Sequence, residues 1–387
     1  MLQKHYDKFN ELFATKVDHT FFAPGRINLI GEHIDYSGGY VFPCAITFGT
    51  YAWVSMRDDQ ELHLYSENFS ELGIIKTSLS DLSYKKEDDW ANYPKGCLAM
   101  LEKRGITIPH GLNIYYYGNI PNGAGLSSSA SIEMVTLWLV NTLFDLNLSM
   151  IDCALIGRET ENNYLGVNSG IMDQFAIGMG QKDHAIYLNT DTLDYTMVPI
   201  ELGDHKIVIS NTNKRRGLAD SKYNERRAEC EQALAQLQTK LPIKNLCDLS
   251  MNEFNEHQSL ITNEINLKRA RHAVSENERT KQATKVLQSN DLVSFGKLMN
   301  QSHASMRDDY EATGIELDTL VEAAWAHPGT LGARVTGAGF GGCSIAIVKA
   351  ELVDDYIEKV SSAYREKIGY DATFYVAAVG EGTHQID

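Results

Sequence analysis

The amino-acid sequence predicts an α+β fold divided into two domains. Its 387 residues exceed what one ordinary hydrophobic core organises, and this length suits two domains. Strand-like and helix-like segments follow one another in a mixed order, which argues against a regular βαβ barrel. We place the break between the domains near residue 195. The predicted domains are therefore residues 1–195 and 196–387.

In the first domain, short runs of β-branched and aromatic residues predict strands, and longer apolar stretches predict helices. The segment 41–56 is interpreted as a pair of strands. The other predicted elements of this domain are strands at 62–65, 112–117 and 185–188, and helices at roughly 129–146 and 150–164.

The second domain opens with a short buried strand at 206–210 and then becomes mainly helical. Its other predicted elements are helices at roughly 216–240, 265–326 and 352–366, and strands near 331–336, 343–348 and 372–379. Within the last helix, Val353, Ile357, Val360 and Tyr364 recur at helical spacing. We interpret these four residues as part of the hydrophobic core.

Composition excludes several classes of protein. A hydrophobic fraction of 43% and a charged fraction of 22% are ordinary for a soluble globular chain. The formal net charge of −16 argues against a nucleic acid or an anionic membrane as partner. No apolar run approaches the length that spans a bilayer, and the polar, charged N-terminus does not resemble a signal peptide. Six scattered cysteines are expected to be reduced thiols, so we expect a cytoplasmic protein.

One basic island, residues 214–216, interrupts the acidic chain. Two interpretations stay open for it: a solvated loop, or a contribution to the attraction of a nucleotide.

Residues 121–131 carry the most informative motif, Pro-Asn-Gly-Ala-Gly-Leu-Ser-Ser-Ser-Ala-Ser, between a predicted strand and a predicted helix. Glycine lets main-chain N–H groups approach a ligand closely, and the first N–H groups of a helix attract anions. Serine hydroxyls add donors and can bind Mg²⁺. The spacing matches neither a Walker A loop nor a dinucleotide fingerprint. The motif predicts a third type of polyphosphate loop or, alternatively, a serine-capped helix after a glycine turn.

Two further motifs lie near the ends of the chain. Residues 24–36 crowd Arg, Asn, Glu, His and Asp between glycines, which suits a polyol whose hydroxyls both donate and accept hydrogen bonds. Residues 335–343 form a glycine-rich loop beside a predicted strand. With the Gly-Leu-Ser-Ser-Ser-Ala segment between them, in this order, these motifs make the chain resemble the GHMP kinases and, within them, the galactokinases. The resemblance implies a two-domain GHMP-kinase-like fold with the active site in the cleft between the domains, and a ferredoxin-like second domain.

This resemblance also implies an activity: the ATP-dependent phosphorylation of galactose at its anomeric hydroxyl, which gives galactose 1-phosphate and ADP. ATP is then the co-substrate and Mg²⁺ the cofactor, and no motif indicates a protein partner. Two alternatives stay open. One is a kinase for a related acceptor such as N-acetylgalactosamine; the other is a sugar-sensing relative that has lost catalysis. Intact Ser129 and Asp173 disfavour the sensor.

Phosphoryl transfer requires alignment, neutralisation of charge and a group that receives or orients the hydroxyl proton. Asp173 stands in Gly-Ile-Met-Asp-Gln-Phe. The resemblance implies that it faces the sugar C1 hydroxyl, as general base or as an electrostatic and orienting partner; alternatively it caps a helix. Arg26 is implied to lie beside Asp173 and the transferred phosphoryl group, where its charge would stabilise the transition state.

The remaining site residues are implied by the resemblance to bind the sugar, the nucleotide and the metal ion. The implied sugar-binding residues are Glu32, His33, Ile34, Asp35 and Tyr223. The implied nucleotide-binding residues are Ser66, Gly123, Ala124, Gly125, Leu126, Ser127, Ser128 and Ser129. The implied Mg²⁺ ligands are Ser129 and Glu161, although spacing alone does not separate Glu161 from Glu159. Two positions depart from the family pattern, Ile34 in place of threonine and Ser37 in place of asparagine, and both flank the sugar residues.

Overall fold

The computed structural model describes residues 3–121, 125–214 and 219–386. The α-helices are α1 Gln3–Phe13, α2 Asn92–Lys103, α3 Ser128–Leu143, α4 Met150–Thr160, α5 Met172–Met179, α6 Ala219–Leu237, α7 Met251–His257, α8 Glu264–Gln288, α9 Leu292–Asp308, α10 Ile315–Ala326 and α11 Val353–Ile368. The strands are β1 His19–Asn28, β2 Tyr40–Val41, β3 Pro43–Met56, β4 Glu61–Ser66, β5 Ile75–Ser78, β6 Leu112–Gly118, β7 His184–Asn189, β8 Tyr195–Pro199, β9 His205–Asn211, β10 Thr330–Thr336, β11 Cys343–Lys349, β12 Thr373–Ala377 and β13 His384–Gln385.

A six-stranded sheet in the order β13-β1-β3-β6-β4-β5 forms the first layer. Its neighbouring strands are antiparallel apart from β4 and β6, which are parallel. Residues alternate between its faces: Trp53 and Tyr115 pack with Phe9 of α1, whereas Val54 and Ile114 pack in the main core with α2, α3 and α4. The sheet is therefore covered on both faces.

Strand β1 carries the start of the polar motif to the site. Its pairing with β3 shifts register between Pro24 and Arg26, which is a β-bulge. Gly25 allows this bulge to lie close to the backbone of Leu126, because a Cβ at Gly25 would be 2.7 Å from the Leu126 carbonyl oxygen. Bulges re-aim side chains beside active sites. Here the bulge brings Arg26 towards the predicted phosphate loop.

The second layer is the antiparallel four-stranded sheet β10-β11-β9-β12. Apolar residues of α9, including Phe295 and Met299, pack with Ile207 and Ile345 on one face. Helices α10 and α11 cover the other face, and Val353, Val360 and Tyr364 are buried there as predicted. The fourth residue of that stripe, Ile357, packs at the edge of the same cluster.

The domain boundary near residue 195 stays a prediction. Strands up to Pro199 belong to the six-stranded sheet or to a small sheet β2-β7-β8, whereas β9 joins the four-stranded sheet. The C-terminal strand β13 nevertheless returns to the first layer, where Gln385 pairs with Phe21.

Three element predictions were wrong or incomplete. The segment 41–56 is not a strand pair, because β2 and β3 belong to different sheets. The segment 265–326 is three helices, because Asp291 caps the start of α9 and Gly314, with φ +92°, precedes α10. The helices α1, α2, α5 and α7 and the strands β1, β5, β8 and β13 were not predicted.

Candidate active site

A cavity of about 160 Å³ brings the three sequence motifs together. The residues that line it come from the polar motif that begins in β1, the start of α3, the segment that leads into α5, helix α6 and the glycine loop after β10. The lining residues are Arg26, Glu32, His33, Asp35, Gly125, Ser127, Ser128, Ser129, Glu161, Val167, Ser169, Gly170, Met172, Asp173, Tyr223, Gly337, Ala338, Gly339, Phe340 and Gly342.

Arg26 and Asp173 form a two-point ion pair in this cavity. The guanidinium donates from Nε to Oδ1 and from Nη2 to Oδ2 of Asp173, each at 2.7 Å, and from Nη1 to the Gly125 carbonyl oxygen at 2.9 Å. Arg26 is 4% exposed, so its charge is well shielded from water. The predicted proximity of the two side chains is therefore present in the fold. Paired fork geometry of this kind fixes both groups in orientation as well as distance.

Asp173 does not cap a helix. The capping position of α5 is Ile171, and Asp173 lies in the first turn, where its carboxylate is directed at Arg26. The Ser127 hydroxyl also donates to Oδ2. Since a carboxylate offers about four acceptor sites, three of them are used by the protein. Among the described residues, no further donor bonds the second acceptor site of Oδ1.

Ser127 occupies the left-handed region with φ 64° immediately before α3. This conformation is uncommon for a residue other than glycine and marks local constraint, which is typical of functional sites. The alternative of a serine-capped helix is not what the geometry shows, because the Ser127 side chain makes no capping hydrogen bond and bonds Asp173 instead.

Asp35 lies against the segment that leads into α5. The Met172 N–H donates to Asp35 Oδ2 at 3.3 Å, and a Cβ on Gly170 would lie 2.0 Å from the same oxygen. Burial, and then the nearby carboxylate of Asp173, raise the pKa of Asp35 to about 6. The acidic residues Glu32, Asp35, Glu161 and Asp173 thus share one cavity, and burial raises the pKa of the first three.

Glu32 is 1% exposed, and its hydrogen-bond partners lie in the second half of the chain. Its carboxylate accepts from Arg334 Nη1 at 2.7 Å and from the Gly337 N–H at 3.0 Å. Burial raises the pKa of Glu32, although Arg334 and Arg26 act in the opposite direction. The sequence indicated Glu32 but not Arg334.

His33 links the polar motif to the glycine loop through both ring nitrogens. Nε2 donates to the Ala338 carbonyl oxygen at 3.0 Å, which leaves Nδ1 to accept from the Tyr36 hydroxyl at 2.7 Å. Burial lowers the pKa of His33 to about 3, so the ring is neutral near pH 7. The ring packs beside Tyr223, with centroids 5.2 Å apart.

The Ile34 side chain is not among the described residues that line the cavity. It is fully buried in the main core, where it packs against Gly39. The Ile34 side chain is therefore part of the hydrophobic core.

A second cavity, of about 690 Å³, adjoins the first. Ser66 lines it, together with aromatic residues that include Trp90, Tyr93 and Tyr116. The two cavities share Ser128, Ser129, Glu161 and Val167. Of the predicted phosphate loop, Gly123 and Ala124 lie outside the described residues. Leu126 is buried in the core and contributes its carbonyl oxygen, which accepts from the Arg26 N–H at 3.2 Å.

Glu161 begins a single π-helical turn, Glu161–Leu165, that follows α4. Such turns displace one residue from the regular helix and often occur at functional sites. Burial raises the pKa of Glu161, while hydroxyls of Ser169 and Ser129 and the Gln174 amide hydrogen-bond it. Glu159, the alternative, instead pairs with Arg104 away from both cavities, at 2.7 Å.

Sequence reasoning missed three polar residues around the site. Arg334 is fully buried behind Glu32, Ser169 lines the first cavity, and Tyr310 contacts the Tyr36 hydroxyl at 2.5 Å. An arginine within an otherwise apolar predicted strand was the available signal for Arg334. In the basic island, Lys214 pairs with Glu316 at 3.0 Å, and Arg215 and Arg216 lie outside the described residues.

Comparison with known proteins agrees with this geometry. The galactokinase galactose-binding signature matches residues 7–56, and the N-terminal and C-terminal GHMP kinase family models match residues 92–181 and 283–366. The chain is 56% identical over 379 residues to a galactokinase of Lactiplantibacillus plantarum, with 98% of each chain covered. It is 57% identical over 374 residues to a galactokinase of Clostridium perfringens, with 97% of each covered.

Solved structures show the same relation. The crystal structure of Lactococcus lactis galactokinase complexed with galactose aligns with a TM-score of 0.98 at 50% identity, and 100% of each chain is covered. Methanococcus jannaschii mevalonate kinase aligns with a TM-score of 0.65 at 19% identity, covering 94% of this chain and 99% of its own, which supports the fold alone.

Fold and site together define a kinase of the GHMP class, and the predicted α+β architecture is confirmed. Within that class the chain belongs to the galactokinase family. Across the described residues, no helix combines the length and the apolar character needed to cross a membrane.

Proposed function

We propose that the chain transfers the γ-phosphoryl group of ATP to the anomeric hydroxyl of D-galactose, giving α-D-galactose 1-phosphate and ADP. The observation that carries this proposal is the junction of the two cavities. The Arg26–Asp173 pair lies in the smaller cavity, whose charged and hydrogen-bonding side chains suit a sugar. Ser128, Ser129 and Glu161 are common to that cavity and the larger, aromatic-lined one, which suits a nucleotide. The transferred group would pass between the cavities at these shared residues.

Each protein group has a distinct part in this reaction. Asp173 orients the sugar hydroxyl through the second acceptor site of Oδ1, and it either receives the hydroxyl proton or stabilises the partial positive charge that develops there. Arg26 balances the carboxylate and stabilises charge on the phosphoryl group. The N-terminus of α3 presents free N–H groups and a favourable dipole to the phosphates.

The donors at the junction fit Mg²⁺, which prefers oxygen ligands and retains several waters. Ser129 and Glu161 would hold the ion, and bound there it would neutralise charge on the phosphates. No group of three or more His, Cys, Asp or Glu side chains within the described residues is arranged to hold a metal by itself. The proposed protein ligands of the ion are therefore only one hydroxyl and one carboxylate, which would lie beside the phosphates. We also propose a cytoplasmic location, because the six cysteines are scattered along the sequence and buried in the fold.

The test is kcat/KM for galactose, 2-deoxygalactose, N-acetylgalactosamine and glucose with saturating Mg·ATP. Galactose and glucose differ only at C4, and an inverted hydroxyl leaves a buried partner such as Asp35 without its hydrogen bond. We expect a preference for galactose over glucose of about 10²–10³ in kcat/KM, less than for complete loss of the hydroxyl, because the epimer can recruit water.

Three outcomes would contradict the proposal in different ways. Equal rates with galactose and glucose would remove C4 recognition from this cavity. A clear preference for N-acetylgalactosamine would move the function to that acceptor. Sugar binding without any turnover would indicate a sensor that has lost catalysis.

The raised pKa of Asp35 predicts that kcat/KM for galactose decreases at acidic pH. Protonation below pH 6 removes a carboxylate acceptor, so kcat/KM for galactose should fall by about tenfold per pH unit well below that value. The measurement is kcat/KM for galactose between pH 5 and 8, at saturating Mg·ATP. An Asp35→Asn variant should be slower and should not show this decrease. If the variant keeps the wild-type profile, another group causes it.

A further inference from the structure

Strand β10 presents two polar residues to the polar motif. Residues two apart on a strand share a face, and here Arg334 and Thr336 both contact the backbone of Asn28. Arg334 Nη1 donates to the Asn28 carbonyl oxygen at 2.9 Å, and Thr336 Oγ1 accepts from the Asn28 N–H at 2.9 Å. This face therefore ties the second half of the chain to the sugar motif.

Every polar group of Glu32 is held by that second half. Its N–H donates to Glu276 Oε1 at 3.3 Å, and its carbonyl oxygen accepts from His272 Nε2 at 3.0 Å. Arg334 and the Gly337 N–H bind one carboxylate oxygen each. The position of the carboxylate in the cavity is thus set by residues that do not themselves belong to the motif.

Besides its contacts with Glu32 and Asn28, Arg334 donates from Nε to the Ser302 hydroxyl at 3.2 Å. Its side chain is fully buried, yet Nη2 has no hydrogen-bond partner among the described residues and lies 3.9 Å from Glu276 Oε1. A buried guanidinium normally uses all its donors, because an unpaired donor costs stability. The strongest contact of Arg334 is the one to Glu32, at 2.7 Å.

We propose that Arg334 is a positioning residue for sugar binding, which fixes the Glu32 carboxylate in the cavity and supplies its balancing charge. The inference rests on the proposed function, because it takes Glu32 as a sugar ligand. Arg334 does not line the cavity, so it acts through Glu32 and not through a contact with substrate.

The test measures galactose affinity by calorimetry, together with KM and kcat, for Arg334→Lys and Arg334→Met. Arg334→Met breaks one side of a buried charge pair and should weaken galactose binding and raise its KM by about 30- to 100-fold, whereas Arg334→Lys keeps the charge and should have a smaller effect. kcat and the KM for ATP should stay within about threefold, because the lost interaction is the same in the ground and transition states. Unchanged galactose affinity in both variants would overturn the proposal.

Arg269→Met is the matched control. Arg269 is 1% exposed and pairs with Glu229 at 2.7 Å and Glu311 at 2.9 Å, but it does not line the cavity. This variant should lower the melting temperature and leave galactose affinity unchanged. If it weakens galactose binding as much as Arg334→Met does, the effect of Arg334 is general destabilisation.

A double variant keeps the test decisive if Arg334→Met folds poorly. Glu32→Gln with Arg334→Met leaves no unpaired buried charge, so it should be more stable than Arg334→Met. Its galactose affinity should equal that of Glu32→Gln alone, because Arg334 acts only through Glu32. Multiplied losses would show an independent role and overturn the proposal. Absence of galactose binding in the wild-type protein would instead refute the proposed function.

Discussion

Asp173→Asn is expected to lower kcat by about 10³-fold while galactose and Mg·ATP affinities stay within about tenfold. The amide keeps the size of the side chain, and its oxygen can still accept from Arg26 Nε. It loses the negative charge that balances Arg26 and orients the sugar hydroxyl, so the loss falls on the transition state. The measurements are steady-state kcat and ligand binding by calorimetry. Retention of more than a few per cent of kcat would remove Asp173 from its central role.

The structure offers a matched control for this variant. Asp59 makes the same two-point contact with an arginine, accepting from Arg57 Nε at 2.8 Å and Nη2 at 2.5 Å, on the protein surface. Asp59→Asn should leave kcat and both affinities unchanged. Because the NH₂ group introduced by Asp173→Asn would face a guanidinium N–H, the melting temperature of that variant should also be measured. Restored activity at lower temperature would indicate that misfolding, and not lost chemistry, caused the defect.

Local signals in the sequence were sufficient for several elements. Apolar stretches predicted α3 and α4, and apolar residues at helical spacing predicted the buried face of α11. The break of 265–326 into three helices was missed, since it depends on two short connections and the single capping residue Asp291. Strand β1 was missed for a related reason: its Pro-Gly-Arg bulge interrupts the alternation by which strands are recognised.

The candidate site shows the same division between local and long-range signals. The resemblance to the galactokinases implied that Arg26 and Asp173 lie close together, and the fold brings them together. The sequence did not predict which group donates a hydrogen bond to each carboxylate, because the partners are distant in sequence. Arg334 is 302 residues from Glu32, so nothing in the local pattern of either segment indicates their pairing. The same holds for one ring partner of His33, the Ala338 carbonyl oxygen, which lies 305 residues away.

Arg26→Lys is expected to lower kcat by about 10²-fold, although the charge is conserved. Arg26 makes three directed hydrogen bonds, two to Asp173 and one to the Gly125 carbonyl oxygen. A lysine ammonium is a point charge that cannot reproduce the fork, so Asp173 loses its fixed orientation. Loss of one preorganised charge contact typically costs about 10²–10³ in rate. The measurement is kcat at saturating galactose and Mg·ATP.

Arg57→Lys is the corresponding control, because Arg57 makes a fork to Asp59 and a further bond from Nη1 to Asn113 Oδ1 at 2.8 Å, away from both cavities. It should leave kcat unchanged.

Combining Arg26→Lys with Asp173→Asn then separates two explanations of the catalytic loss. If the arginine acts chiefly by holding the aspartate, the double variant should be about as slow as Asp173→Asn alone. If Arg26 stabilises the phosphoryl group independently, the two losses should multiply. A kcat for Arg26→Lys above about one third of the wild-type value would contradict both explanations, since the directed contacts of the guanidinium would then contribute little to the transition state.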